Sequence, residues 1–335
     1  MIRHTPLRPR LVAPLVATFL LVGLTACATD TEAGTAATAG DTTSTDTRSI
    51  DTAYGEVEVP AEAQRVVAVS YDTPWQLAAV GVTPVAMQDY SAYAESFTAE
   101  QQELIAETDT VGAFFDLNVE AVLAAEPDLI VGDVLEIDEA TFEKLSKIAP
   151  TVIFEGDYRG DWRNIGGSIA NAVGASGEFE STRDSYDAEL SRLQDTYTDV
   201  LARPWAAIGD GDVEGGFSVL YPGGSVGALF FDDLGATLAP GIPEQEAGDK
   251  GWMYISPELT TTVLSGAEII VTGADPAGAL SDSLAGTVTT PLFSALPAAV
   301  SDNVYGVWSS VTDYGTALQW LETVETTVLI PASAS

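Results

Sequence analysis

The sequence contains very few of the residues on which enzymes and metal sites most often depend. Its 335 residues include one cysteine, Cys27, and one histidine, His4, both near the start of the chain. A single cysteine cannot form an intramolecular disulfide. Because the rest of the chain has no imidazole, Ser-His-Asp and Cys-His catalysis and histidine-dependent zinc sites are excluded there.

Basic residues are also scarce. The chain has 13 Lys and Arg against 50 Asp and Glu, a formal net charge of -37. Arg3, Arg8 and Arg10 lie in the predicted leader, so its removal leaves 10 basic residues against 50 acidic ones and a net charge of -40. A surface this acidic repels phosphate backbones and anionic lipid headgroups. We therefore expect no nucleic-acid partner.

No apolar run is long enough for an ordinary transmembrane helix of about 20 residues. The run at 11–24 follows three arginines and precedes Leu-Thr-Ala-Cys, the parts of a secretory signal. The ending resembles a bacterial lipobox, whose cysteine is lipidated and becomes the first mature residue. This pattern predicts a lipoprotein signal peptide at 1–26, lipid attachment at Cys27 and an extracytoplasmic location on the outer face of the cell membrane. Residues 27–49, rich in Thr and Ala, are predicted to form a flexible tether.

Beyond the tether, strand patterns alternate with helix patterns. A chain of this length usually divides its core, and alternating strands and helices are typical of parallel sheets covered by helices. The helical pattern at 178–202 is long enough to connect two lobes, spanning about 35 Å at 1.5 Å per residue. We therefore predict an α/β fold with an N-terminal lobe (50–177), one long interlobe helix (178–202) and a C-terminal lobe (203–335). Both lobes should contain mostly parallel sheets flanked by helices.

Two segments repeat the same order of features, residues 118–132 and residues 256–273. Each begins with a residue suited to capping a helix, Asn118 or Ser256. A glutamate follows in the first helical turn, Glu120 or Glu258, where the helix dipole stabilises a negative charge. An apolar strand follows each helix. Stabilisation of the helix is a sufficient structural reason for both glutamates.

Four segments carry a family resemblance: 65–70, 118–132, 256–258 and 303–308. In this order, behind a lipobox, they resemble substrate-binding proteins of ABC importers for ferric siderophores, haem and cobalamin. The resemblance covers about residues 50–330. It implies two lobes joined by a long helix, with the ligand held in the cleft between them.

The resemblance also implies partners and site residues. One glutamate on each lobe of such proteins docks into the membrane permease, and Glu120 and Glu258 match those positions. The ligand would contact the aromatic and polar loops that border the cleft. The predicted ligand-binding residues are Tyr71, Tyr90, Tyr93, Phe115, Arg159, Trp252, Tyr254, Trp308 and Tyr314. For each aromatic side chain, packing in the core is an open alternative.

The scarcity of cations separates classes of siderophore. Ferric tris-catecholates are trianions, which a strongly acidic protein repels, whereas neutral or cationic hydroxamate chelates are not repelled. We therefore expect a ferric siderophore of hydroxamate or mixed type. No cofactor is predicted, and iron would enter only as part of the bound chelate.

Other functions remain open at this stage. Haem could be ligated by tyrosine, and cobalamin uses a similar aromatic cleft. Functions from other classes are an enzyme that uses two carboxylates and a structural surface lipoprotein. No motif selects a catalytic pair, so we expect a binding protein and not an enzyme.

Overall fold

The computed structural model describes residues 46–156, 161–245 and 251–335. All of them belong to one compact unit, Thr45–Ser335. The predicted leader, the lipid-attachment residue Cys27 and Arg159 lie outside the described residues. Within the part of the chain that is described, no helix has the length and apolarity needed to cross a bilayer.

The N-terminal lobe is built on a five-stranded parallel sheet and two hairpins. The strands are β1 (Thr47–Thr52), β2 (Gly55–Pro60), β3 (Val66–Ala68), β4 (Ala86–Met87), β5 (Asp109–Thr110), β6 (Gly112–Ala113), β7 (Asp116–Leu117), β8 (Leu129–Asp133) and β9 (Thr151–Phe154). The sheet has the order β5-β4-β3-β8-β9, and the hairpins are β1–β2 and β6–β7. Its helices are α1 (Thr73–Ala79), α2 (Ala99–Glu107), α3 (Val119–Ala124), α4 (Glu139–Leu145) and α5 (Trp162–Ala172), with a 3-10 turn at Ser91–Ser96.

Both faces of this sheet are buried. Successive side chains of a strand point to opposite faces, and β8 divides accordingly: Leu129 and Val131 join one apolar core, whereas Ile130 joins the other. This explains why the strand is a continuous apolar run, as expected of a parallel strand covered on both sides.

The C-terminal lobe has a six-stranded mixed sheet. The strands are β10 (Pro204–Asp210), β11 (Phe217–Leu220), β12 (Thr237–Leu238), β13 (Trp252–Ile255), β14 (Ile269–Ala274) and β15 (Val304–Trp308). Their order is β13-β11-β10-β14-β15, with β12 beside β10. The helices α6 (Ser176–Thr196) and α7 (Thr198–Leu201) precede this lobe, and its own helices are α8 (Thr260–Leu264), α9 (Asp282–Val288), α10 (Pro291–Ser294), α11 (Pro297–Val300), α12 (Tyr314–Val324) and α13 (Ile330–Ser333). A 3-10 turn at Pro257–Leu259 and π-helical turns at Leu229–Asp233 and Glu325–Leu329 complete it. In this sheet β11 runs antiparallel to β10 and β13, and the remaining pairs are parallel. The predicted α/β fold with mostly parallel sheets is confirmed.

The long helix α6 links the lobes, packing against α5 of one and α12 of the other. Its bounds differ from the predicted 178–202, because the helix begins at Ser176 and is interrupted at Tyr197 before the short α7. The tether boundary differs as well. Strand β1 begins at Thr47, inside the predicted tether, because it pairs with β2 and Arg48 donates a hydrogen bond to the carbonyl of Ala172 at 2.9 Å.

Candidate functional site

A cavity of about 760 Å³ lies between the two lobes. The N-terminal lobe contributes the residues that follow β3, among them Tyr71 and Asp72, and the C-terminal lobe contributes the ends of β10, β14 and β15. Parallel strands end at the same edge of a sheet, and open α/β sheets bind ligands outside that edge. The topology of both lobes therefore places their loops around one cleft.

The cleft is strongly acidic. The side chains that border it include five carboxylates and several hydroxyl groups: Asp72, Glu95, Asp210, Asp275, Asp282, Ser225, Ser281, Ser309, Ser310 and Thr312. No Lys or Arg among the described residues borders the cavity. Charges of one sign along a cleft with low-dielectric walls focus the potential within it. The cleft thus attracts cations and repels anions.

The aromatic side chains of the N-terminal lobe form one cluster around Phe114. Its ring centroid lies 4.2 Å from that of Phe115, 5.2 Å from Tyr93 and 5.4 Å from Tyr71. Tyr71 borders the cavity, whereas Tyr93 and Phe115 are about half exposed and join the cluster through Phe114. Three of the predicted ligand residues therefore come together on one surface.

Tyr90 belongs to the same cluster but does not reach the cavity. Its side chain is 1% exposed and its hydroxyl donates a hydrogen bond to the carbonyl of Tyr71 at 2.9 Å. Burial raises the pKa of the Tyr90 phenol well above its usual value, so the group remains a protonated donor. The structure places Tyr90 as a support for Tyr71, not as part of the cavity wall.

Two acidic residues beneath this surface were missed by the sequence reasoning. Glu136 accepts hydrogen bonds from the backbone nitrogen of Tyr71 at 3.1 Å and from the side-chain amide of Gln88 at 2.6 Å. Burial, together with the charge of Glu136, raises the pKa of nearby Asp133 to about 6. The signal in the sequence was the abrupt change from apolar to acidic residues at the end of β8. Glu136 fixes the backbone of Tyr71 at the cleft edge, and the backbone nitrogen of Asp133 donates to the hydroxyl of the preceding Ser70 at 2.8 Å.

In the C-terminal lobe, Trp252 and Tyr254 form an exposed pair on the edge strand β13. Their ring centroids are 4.6 Å apart, and the side chains are 40% and 46% exposed. Tyr254 is in register with Ser218, and Ser218 with Gly209, which borders the cavity. Residues in register on neighbouring strands lie on the same face of a sheet, as do residues two apart on one strand. Trp252 and Tyr254 therefore lie on the same sheet face as Gly209.

A close backbone contact holds the neighbouring loop in place. A Cβ atom on Gly251 would lie 2.3 Å from the Cα of Gly224, and Gly251 also has a positive φ of 78°. Only glycine tolerates this combination. The contact brings the loop that carries Ser225 and Val226 against the start of β13, at the cavity wall.

Two predicted ligand residues lie elsewhere. Trp308 is 5% exposed, and its ring nitrogen donates a hydrogen bond to the carbonyl of Ser96 at 3.0 Å. The Tyr314 ring packs 4.9 Å from Trp162 and 5.5 Å from Tyr186, where α5, α6 and α12 meet. Neither residue borders the cavity, because burial of their large apolar surfaces holds the lobes together instead. Arg159 lies outside the described residues.

Glu120 and Glu258 are exposed in the first turn of a short helical segment on each lobe. Asn118 caps the first helix, accepting hydrogen bonds from the backbone nitrogens of Glu120 at 3.0 Å and Ala121 at 3.2 Å. The predicted cap at Ser256 is wrong, because its side chain makes no capping bond and a 3-10 turn begins there instead. Both segments lead into central strands of their sheets. Neither glutamate borders the cavity.

Comparison with known proteins adds independent findings. The family model described as "Periplasmic binding protein" matches residues 66–310. The probable siderophore-binding lipoprotein YfiY of Bacillus subtilis (strain 168) is 26% identical over 197 residues, which span 58% of this chain and 58% of that relative, less than two thirds of its length.

Solved structures share the fold over nearly their whole length. The siderophore periplasmic binding protein from the fuscachelin gene cluster of Thermobifida fusca aligns with a TM-score of 0.69 and 26% identity, covering 80% of this chain and 97% of that one. Staphylococcus aureus SirA complexed with staphyloferrin B aligns with a TM-score of 0.66 and 22% identity, covering 83% and 97%. The second likeness shows the fold alone.

Proposed function

The chain belongs to the periplasmic binding protein family, and from this premise we propose that it is the extracytoplasmic substrate-binding component of an ABC importer. We propose that it captures a ferric siderophore in the interlobe cleft and delivers it to the permease. The names of the Bacillus and Thermobifida relatives, both siderophore-binding, support this ligand class. The family is one of binding proteins and not of enzymes, which agrees with the prediction from the sequence.

The single observation that carries the ligand class is the composition of the cleft. Its volume of about 760 Å³ lies within the range of small-molecule sites. Tyr71 borders it on the N-terminal lobe, and the exposed rings of Tyr93 and Phe115 belong to the same aromatic cluster. Carboxylates and hydroxyls border it from both lobes. Apolar side chains such as Val226, Leu280 and Val311 also border it, and a cavity that combines apolar surface with polar groups suits a bulky chelate.

The charge of the cleft favours one type of siderophore. Five carboxylates border the cleft, and none of the described residues that border it is basic. The cleft therefore repels a trianionic tris-catecholate and attracts a cationic chelate. The proposed ligand is therefore a neutral or cationic ferric hydroxamate. Hydroxyl groups such as Ser225 and Ser309 are available to hydrogen-bond its periphery.

The test of this function is thermal unfolding with a panel of ligands. A ligand that binds only the folded state raises the unfolding midpoint. We expect a ferric trihydroxamate to raise the midpoint of the mature protein, and the iron-free chelator to do so less. A shift with haem, accompanied by a Soret band, or with cobalamin would identify the alternatives instead. No shift with any member of the panel would contradict the proposal.

Membrane attachment is proposed to occur through a lipid on Cys27, because the preceding residues have the pattern of a lipobox. The expected observation is incorporation of labelled fatty acid into the wild-type chain and none into Cys27→Ala. Labelling of the variant to the wild-type level would show that the anchor is elsewhere. The proposed docking of Glu120 and Glu258 into the permease is compatible with their exposure on both lobes.

A further inference from the structure

The C-terminal wall of the cleft includes a short segment, residues 309–312, that follows β15. Two glutamine side chains of the opposite lobe reach it. Gln76 in α1 donates from its amide nitrogen to the carbonyl of Thr312, and Gln101 in α2 donates to the Thr312 hydroxyl at 2.9 Å. The segment that faces the ligand is thus bound to the N-terminal lobe as well as to its own.

These interlobe hydrogen bonds are shielded from water. Gln76, Gln101 and Thr312 are 3%, 7% and 4% exposed. The Thr312 hydroxyl donates in turn to Asp313 at 2.8 Å, and Asp313 caps α12 by accepting from the backbone nitrogen of Thr316 at 2.9 Å. Buried hydrogen bonds of this kind are costly to break because each released group loses its partner without regaining water.

Each glutamine is itself held in one orientation. The Gln101 carbonyl oxygen accepts a hydrogen bond from the backbone nitrogen of Thr98 at 3.1 Å and completes the cap of α2. The Gln76 amide rests against α5, where a Cβ atom on Gly166 would lie 2.5 Å from its oxygen. The amide groups therefore present their nitrogens to Thr312 with little freedom to turn away.

We propose that Gln76 and Gln101 are positioning residues for ligand binding. They hold residues 309–312 of the C-terminal lobe against the N-terminal lobe. This fixes the distance between the two walls of the cleft, so that both walls can contact the same ligand. Neither glutamine borders the cavity, so each acts through Thr312. The identity of the ligand rests on the proposed function, whereas the interlobe contact does not.

The test uses substitutions that remove the hydrogen bond between Gln101 and Thr312, of which Thr312→Val also removes the bond to Asp313. Gln101→Glu retains the acceptor that caps α2 but cannot donate to the Thr312 hydroxyl. Thr312→Val removes that hydroxyl at nearly constant shape, and Thr312→Ser, which retains it, is the matched control. Amide hydrogen exchange of residues 309–313 is measured in each mature protein, and the dissociation constant for ferrioxamine B, a cationic ferric trihydroxamate, is measured by fluorescence titration.

We expect exchange in residues 309–313 to be at least tenfold faster in Gln101→Glu and Thr312→Val, and unchanged in Thr312→Ser. Affinity for ferrioxamine B should fall about tenfold in the first two variants. Their combination should bind no more weakly than Thr312→Val alone, because both substitutions remove the Gln101–Thr312 hydrogen bond. A purely structural role would accelerate exchange throughout the protein and leave the affinity of the folded fraction unchanged.

Unchanged exchange in this segment of Thr312→Val would overturn the inference, and so would faster exchange with undiminished affinity. If the wild-type protein binds no ferric chelate, the proposed function is wrong. The exchange comparison would still show whether the Gln101–Thr312 hydrogen bond holds the segment.

Discussion

Phe115 is the residue whose backbone most clearly departs from what its side chain prefers. Its φ is +63°, in the left-handed region, where a residue other than glycine is disfavoured by roughly 1–2 kcal/mol. The ring is nevertheless 50% exposed and contacts Phe114 at the tip of the β6–β7 hairpin. Strained residues cluster at functional sites. An exposed aromatic ring held in such a conformation, in the same cluster as Tyr71 of the cavity wall, fits a ligand contact better than a role in folding.

The first prediction concerns this residue. In Phe115→Gly, relief of the strain offsets the entropy of glycine and the lost ring contact, so the free energy of unfolding should change by less than about 1 kcal/mol. Affinity for ferrioxamine B should fall by about threefold to tenfold, as expected for loss of an aromatic contact. Denaturant unfolding and fluorescence titration measure the two effects.

Asp302 provides the matched control for Phe115. Its φ is +56°, but it precedes β15, at the end of the sheet away from the cleft. Asp302→Gly should relieve backbone strain in the same way without a change in affinity. If Phe115→Gly binds ferrioxamine B as tightly as the wild-type protein does, Phe115 is not a ligand contact.

At the scale of elements, the sequence patterns correctly predicted those strands and helix ends that depend on neighbouring residues alone. The run 129–131 predicted the buried strand β8, and Asn118 before a glutamate predicted the capped start of α3; both are as expected. The places of Tyr90 and Trp308 could not be predicted, because long-range contacts decide whether an aromatic side chain packs in a core or faces a cleft. The acidic support beneath Tyr71 was missed for the same reason.

The two exposed glutamates also belong to this scale, since each occupies the first turn of a helical segment on a different lobe. We expect the double variant Glu120→Ala/Glu258→Ala to bind ferrioxamine B normally, because neither side chain borders the cavity. Uptake of the radiolabelled iron complex by cells should be lost, because the variant lacks the two carboxylates that are proposed to dock into the permease.

Glu143→Ala/Glu322→Ala is the control for that experiment. It removes two exposed carboxylates, one from α4 and one from α12, with the same change in net charge. Uptake should remain normal in this variant. Wild-type uptake by Glu120→Ala/Glu258→Ala would show that these glutamates do not dock into the permease and only stabilise their own helical segments.

For the whole molecule, the excess of acidic over basic residues and the carboxylates of the cleft both make the electrostatic potential negative. The formal net charge of -37 gives the protein a negative potential, and the five carboxylates concentrate it where the ligand is proposed to bind. Composition predicted the sign of this potential. It could not predict that the carboxylates of Asp210, Asp275 and Asp282 meet at one cleft, because their strands and loops converge only in the folded sheet.

The most direct test of the central claim is a comparison of dissociation constants, measured by tryptophan fluorescence, for ferrioxamine B and for ferric enterobactin, a trianionic tris-catecholate. The mature protein should bind ferrioxamine B at least tenfold more tightly. The difference should narrow as salt is added, since exposed charges are screened over about 10 Å at 0.1 M ionic strength. Tight binding of ferric enterobactin without comparable binding of ferrioxamine B would contradict the account.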